Sequence, residues 1–307
     1  MQVRFTLRQL EYLVAVGEAG SIALAAERMN VSSPSISTAI AQLEQEFGLQ
    51  LFVRRHAQGL SPTEAGRRMV AEARAVLGGA GRLTDMANEI TGMVRGPLTV
   101  GCLQTVAQML LPRLRRSFTD LYPDVTFRQT EGNQADLFEG LRSGLMDAAL
   151  TYEMDIPSDL RFMPLIALPP HALFPQDHPL AGAACVTPAQ LAPYPMVLLD
   201  LPFSAEYFLS VFARRGLKPR IVERTRDMGL MRAMVANGFG YSIANIRLRP
   251  DVAPDGQPLR IVPIRDAAMP LEPLRFGLIL TDAASGARRV QAFLEHCEAE
   301  VPRVIGA

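Results

Sequence analysis

The stretch Ser21–Glu46, SIALAAERMNVSSPSISTAIAQLEQE, constrains the fold of this chain more than any other. Ser21 is suited to cap a helix, and Ile22, Ala25, Ala26 and Met29 recur on one face at helical spacing. Asn30-Val31 breaks that pattern, and asparagine tolerates the left-handed backbone of a tight turn. Ser32 or Ser33 then caps a second helix, with Pro34 in its first turn, where a missing N–H costs nothing. Ile36, Ile40, Leu43 and Phe47 line one buried stripe of that helix, and Ser35, Thr38, Gln42 and Gln45 lie opposite. Two helices, a tight turn and a small polar outer face make a helix-turn-helix, although an ordinary antiparallel helix pair has the same local pattern.

At 307 residues the chain exceeds one core, which implies two or more domains. Hydrophobic residues make up 49% and charged residues 20%, as in a globular protein. No apolar run reaches the ~20 residues that span a bilayer, and MQVRFTLRQLEY lacks a signal-peptide core. A cytoplasmic location with no membrane partner is therefore expected. Cys102, Cys185 and Cys297 are odd in number, far apart and outside any CxxC spacing, so reduced thiols are expected. The formal net charge of +0 neither supports nor excludes nucleic acid.

Thr6 is placed to cap a first helix, LRQLEYLVAVGEAG, with Leu10, Leu13, Val14 and Gly17 on its buried face and Gly20 ending it. After the two-helix motif, Leu51-Phe52-Val53 and Leu60 suggest two very short strands around a loop holding Arg54, Arg55, His56 and Gln58. Cations in such a wing would meet phosphate oxygens. Thr63 then caps a long helix on which Met69, Ala73, Val76, Ala80, Leu83, Ala87, Ile90 and Val94 alternate at spacings of four and three. That heptad seam is a pairing surface for a homodimer. Gly78, Gly79 and Gly81 interrupt it and imply either a bend or a close crossing. Gly96-Pro97 is expected to end the helix and mark a domain boundary.

Beyond that point strands and helices alternate, which predicts crossover units and a parallel sheet. LTVGC, VTFRQTE and MDAALTY read as strands, and TVAQMLLPRLRRSFTDLY and QADLFEGLRSG as helices. A second set follows in HALFP, MVLLD, SAEYFLSVFARRG, IVERT, MGLMRAMVANG and YSIAN, then a strand LRFGLILT and a helix GARRVQAFLEHCEAEV. With no partner of its own, LRFGLILT is expected to return to the first set.

Taken in order, LRQLEYLVAV, SIALAAERMNVSSPSISTAIAQLE, LQLFVRR…LSPTEAG, GPLTVG, LYPDV and VANGFGYSI resemble a LysR-type transcriptional regulator over essentially the whole chain. The resemblance implies an α+β multidomain protein: a winged helix-turn-helix over 1–62, a dimerising linker helix over 63–95, and an effector domain over 96–307. That last part would form two α/β subdomains of the periplasmic-binding-protein type, I at about 96–162 and 268–307 and II at about 163–267. It further implies a homodimer or homotetramer on double-stranded promoter DNA, a small and often anionic effector, and RNA polymerase as a candidate partner. On the DNA-binding side the positions are Ser32, Ser33, Pro34, Ser35, Ser37, Thr38, Gln42, Arg54 and Arg55. The family often has Gln where Ser33 stands and basic residues at Thr38, Ala41 and Gln42, so phosphate affinity here must lean on Arg54, Arg55, and on Arg28 or Arg67.

In parallel sheets the ligand crevice lies beyond the carboxyl ends of the strands, where helices begin. Here that rule selects Leu103, Gln104, Thr105, Gly132, Asn133, Thr151, Phe203, Ser204 and Met228. With no lysine and few arginines near these turns, helix N-termini are expected to hold an anion. No catalytic constellation is present: His56, His171, His178 and His296 are scattered, without a HExxH or metal-ligand spacing, so neither an enzyme nor a cofactor nor a metal is expected. Three alternatives stand beside the regulator: a redox sensor using Cys102, a solute-binding protein, and an enzyme fused to a DNA-binding domain.

Overall fold

A computed structural model of the chain describes residues 4–55 and 59–306. Contacts divide it into two compact units, Met1–Met93 and Val94–Ala307. The first contains α1 (Leu7–Ala19), α2 (Ile22–Met29), α3 (Ser33–Phe47), β1 (Phe52–Arg55), β2 (Gly59–Pro62) and α4 (Glu64–Thr91). Thr6, Ser21, Ser32 and Thr63 each cap a helix with the side-chain oxygen, and Gly20, Asn30, Gly48 and Gly92 close helices in the left-handed region. Leu10, Leu13 and Val16 of α1 pack against Ala25, Ala26, Ile36, Ile40, Leu43, Leu51, Phe52, Val70 and Ala73. Val16 thus takes the buried place assigned from sequence to Val14 and Gly17, which are half-buried. A Cβ on Gly17 would lie 2.9 Å from Val70 Cγ2, so α1 and α4 cross closely there.

The hairpin β1–β2 is tied to both helices around it. Glu44 Oε1 accepts the N–H groups of Leu51 at 2.7 Å and Phe52 at 3.3 Å, and the Thr63 hydroxyl donates to Gln50 O at 2.8 Å. A Cβ at Gly66 would fall 2.0 Å from the Leu51 carbonyl oxygen, so only glycine lets α4 begin where it does. Helix α4 runs unbroken through Gly78, Gly79 and Gly81 for 28 residues, about 42 Å at 1.5 Å per residue. It stops at Thr91, where Gly92 donates to Asn88 O and Glu89 O, rather than at Gly96-Pro97. The stop read from Gly96-Pro97 was late because the glycine that adopts the left-handed cap is Gly92; Gly96-Pro97 instead opens the next strand. Val94, assigned to the heptad seam, therefore lies beyond the helix.

The second unit holds β3 (Gly96–Leu103), α5 (Gln104–Leu121), β4 (Val125–Gly132), α6 (Gln134–Arg142), β5 (Ala148–Tyr152), β6 (Leu160–Leu168) and β7 (His171–Pro175). It continues through α7 (Pro188–Leu191), β8 (Pro195–Leu199), α8 (Ser204–Ala213), β9 (Arg220–Thr225) and α9 (Met228–Ala236). Last come β10 (Ser242–Ala244), β11 (Leu259–Pro263), β12 (Leu274–Thr281), α10 (Asp282–Ser285) and α11 (Arg288–Ile305). The first sheet has the order β4-β3-β5-β12-β6, with β3 parallel to β4 and β5 and β12 antiparallel to β5 and β6. It is mixed, not purely parallel. The second set consists of β10-β7-β11 and the parallel pair β8-β9, linked by a bridge from Met196 to Tyr241.

Strand β6 has no counterpart in the sequence reading. Pro164 interrupts it and its residues do not alternate; the proline is accommodated because β6 is the edge strand, and the register with β12 slips between Phe276 and Gly277. The chain crosses between the two sheets at Pro169-Pro170 and again between β11 and β12.

His171 stands directly after the first crossing, buried between Ala244 and Pro263, with no hydrogen-bond partner at Nε2. Burial, then the nearby Arg247 and Arg232 guanidinium groups, lower its pKa to about 4; Asp251 and the Pro169 backbone oppose this more weakly. The unfolded chain, with a histidine near 6.5, takes up this proton first as pH falls. The stabilisation of the neutral imidazole is therefore complete above pH 6.5 and is lost progressively towards pH 4, amounting to about 3 kcal/mol. Urea unfolding at several pH values should show wild type losing stability across this window, and His171→Gln should have a flatter dependence. Parallel pH profiles for the two proteins would count against the assignment.

Candidate DNA interface and effector cleft

On α3 the side chains of Ser32, Ser33, Pro34, Ser35, Ser37, Thr38 and Gln42 are all exposed, while Ile36, Ala39, Ile40 and Leu43 face the core. Ser32 Oγ accepts from the Ser35 N–H at 3.3 Å and shares a 2.7 Å hydrogen bond with Ser35 Oγ. Gln42 Oε1 accepts from Gln9 Nε2 of α1 at 2.8 Å, a contact that no spacing rule within either helix reveals. The backbone of Arg54 and Arg55 lies in β1, paired with Leu60 and Gly59. Their side chains, together with His56 and Gln58, fall outside the described residues. Arg67, a candidate phosphate ligand, is engaged by Glu64 and the Pro62 carbonyl, and its guanidinium lowers the Glu64 carboxyl pKa.

Along α4 the heptad positions divide in two. Ala73 is buried and Met69 half-buried against α1, so both serve the core of their own unit. Further along, Val76, Leu83 and Ile90 are exposed, Leu83 by 70% and Ile90 by 80%, with Met86 also exposed. Ala80 is half-buried and Ala87 exposed. An apolar row of this size left in water marks a surface that pairs with something.

Within the second unit the two sheets face each other across the helix N-termini. Gln104 Nε2 of the first subdomain reaches the Arg226 carbonyl of the second at 3.4 Å. The rings of Phe138 and Phe203 lie 5.8 Å apart, and Asn245 Nδ2 of the second subdomain donates to Leu168 O at 2.9 Å and to the Tyr207 hydroxyl at 3.1 Å. Tyr152, Met154, Leu201 and Met228 are buried in the same cluster. An open groove of about 1200 Å³ borders this seam, taking in Gln104, Thr105, Met228, Arg247 and Pro254.

The four helix N-termini at the seam are not equivalent. Asn133 caps α6 by accepting from Ala135 N–H and Asp136 N–H, and Asp227 caps α9 by accepting from Leu230 N–H. Those termini are satisfied, each with a carboxylate beside it, Asp136 and Asp227. Helices α5 and α8 begin after Leu103 and Phe203 and have no side-chain cap. Phe203 itself has φ 64 and ψ −39, a backbone conformation that strains any side chain bearing a Cβ. Thr105 is buried, Ser204 and Gly132 are half-buried, and a Cβ on Gly132 would touch Asp136 at 3.0 Å. Thr151 is fully buried with no partner for Oγ1, and Gln134, whose Nε2 bonds the Met154 carbonyl, has no partner for Oε1. Of these groups sequence reasoning marked the turn residues and missed Phe138, Tyr207 and Asn245, which approach the seam from within helices or after a short strand.

Among the described residues no group of three or more His, Cys, Asp or Glu side chains is placed to hold a metal ion, and no helix is long and apolar enough to cross a membrane.

Residues 7–67 match the family described as bacterial regulatory helix-turn-helix protein, lysR family, and residues 91–302 match the LysR substrate binding domain. The transcriptional activator protein LysR of Escherichia coli (strain K12) is 29% identical over 300 residues, covering 97% of this chain and 94% of that protein. The crystal structure of HinK, a LysR family transcriptional regulator from Pseudomonas aeruginosa, is 34% identical with a TM-score of 0.64, covering 97% of this chain and 99% of that one. CbnR, solved full-length in complex with its target DNA, shares the fold at 24% identity with a TM-score of 0.65, over 95% of this chain and 99% of its own. With both domains matched in order by family and by fold, this chain belongs to the LysR family of helix-turn-helix transcriptional regulators.

Proposed function

We propose that this regulator acts in the cytoplasm as a homodimer, with α3 in the major groove of double-stranded promoter DNA and the β1–β2 wing on the flanking phosphates. The exposed polar row from Ser32 to Gln42, set on a helix whose opposite face is buried, carries this reading. The target-DNA complex of its structural neighbour CbnR supports it. The functional parts are the helix-turn-helix and wing over 1–62, the linker over 63–95 and the effector domain over 96–307. Val76, Leu83 and Ile90 supply the pairing face, and pairing of effector domains builds the tetramer. RNA polymerase is the partner through which promoter binding would be read out. Leu83→Glu puts a charge into the pairing face and should reduce the assembly by one step in sedimentation; an unchanged sedimentation coefficient would overturn the assignment.

A small anionic metabolite binds between the subdomains. The uncapped N-terminus of α5 offers backbone N–H groups and a positive helix end without a competing cap, whereas at α8 the Ser204 and Ala205 N–H groups already donate to the Pro202 and Leu201 carbonyls. Thr151 Oγ1 and Gln134 Oε1 add buried hydrogen-bonding capacity. In thermal-shift measurements on a panel of small organic acids, an acid that stabilises wild type should stabilise Thr151→Val less, with affinity lower by about tenfold or more for the lost hydrogen bond. Equal shifts in both proteins for every acid would place the pocket elsewhere.

Control through Cys102 is the less favoured reading. That thiol is wholly buried, and burial first, with Glu131 second, raises its pKa well above the ordinary range, which disfavours the reactive thiolate. Cys297 is buried likewise, and Cys185 is exposed. Titration of the native protein with an aromatic disulfide reagent should release a single fast equivalent, abolished by Cys185→Ser; rapid reaction of Cys102 would restore the redox reading.

A further inference from the structure

Thr6, Gln9 and Gln42 form a hydrogen-bond chain whose direction is fixed from one end. The Thr6 backbone N–H donates to Gln9 Oε1 at 2.8 Å, and the Thr6 hydroxyl lies 3.1 Å from the same oxygen. A backbone N–H can only donate, so the atom of the Gln9 amide facing the helix cap must be its oxygen. Gln9 Nε2 therefore points the other way and donates to Gln42 Oε1 at 2.8 Å. That contact uses the acceptor end of the Gln42 amide, and the group left for an outside partner is the Nε2 amine. An unrestrained glutamine is ambivalent, since a half-turn about its last torsion exchanges oxygen for nitrogen and both ends then serve to read adenine. Here the half-turn would set two amines against each other.

We infer that Gln9 is a specificity-determining positioning residue. It polarises Gln42 so that this side chain offers only N–H donors to the major groove and selects guanine, whose edge there carries two acceptors, over adenine or cytosine, whose amino groups require an acceptor. The inference rests on the proposed placement of α3 in the groove. It adds to that placement a residue of α1 that need not touch DNA.

Gln9→Glu tests the direction of the chain without removing the helix cap, because glutamate serves equally at the third position of a capping box. One carboxylate oxygen accepts from Thr6, the other has no proton to give, and Gln42 must turn its amine inward and its oxygen outward. The full-length protein and its Gln9→Glu, Gln9→Leu and Gln42→Ala variants would each select from a random-sequence duplex pool, followed by sequencing of the enriched sites. The position that loses preference in Gln42→Ala should read guanine in wild type. It should read adenine or cytosine in Gln9→Glu, by a factor of about ten or more, and admit adenine beside guanine in Gln9→Leu. Wild type selecting adenine, cytosine or thymine there, or Gln9→Glu keeping the wild-type base, overturns the relay while leaving Gln42 in the groove. Gln42→Ala leaving every position unchanged overturns the placement of Gln42 itself.

Discussion

The antiparallel insertion of β12 between β5 and β6 is the constraint on which the effector domain depends. The chain leaves the first sheet after Leu168, builds the second subdomain, and must come back to complete the first. The first subdomain is therefore built from two separate segments and the second from one, and two connections join them, through Pro169-Pro170 and between β11 and β12. Two parallel straps permit rotation about the line joining them and resist twisting. The bond from Asn245 to the Leu168 carbonyl sits at the root of one strap, so that the axis is anchored by side chains as well as by backbone.

The first unit depends on close backbone approaches. Gly66 lets the start of α4 lie on the Leu51 carbonyl, and Glu44 holds Leu51 and Phe52 from the other side. The strands β1 and β2 are therefore tied to α3 and α4. Apolar residues are used here with the opposite logic. Val70 and Ala73 are consumed inside the unit, whereas Leu83 and Ile90, further along the same helix, are left in solvent.

Much of this was legible in the sequence, for reasons that differ by element. Helix caps are local signals, and Thr6, Ser21, Ser32 and Thr63 act where their spacing to the apolar stripe places them. The end of α4 was misplaced because Gly92 and Gly96 are both plausible stops, and only backbone geometry distinguishes a left-handed cap from the start of a strand. Strand β6 was invisible, since an edge strand with an internal proline lacks the alternation by which strands are read. At the effector cleft the turns after β3, β4 and β5 followed from topology. Which helix ends are already capped followed only from side-chain geometry, as did the meeting of Phe138 with Phe203 across the seam.

Phe203 gives the cleft a mechanical property. Its backbone stands at φ 64 and ψ −39, at the N-terminus of α8, with its ring on Phe138 of the opposite subdomain. Such a conformation costs about 1–3 kcal/mol, roughly five- to 150-fold in an equilibrium constant. The aromatic contact between the subdomains is thus made by a residue whose backbone carries that cost. A glycine at this position would remove the strain and the inter-subdomain ring contact together, whereas replacing Phe138 would remove the contact alone.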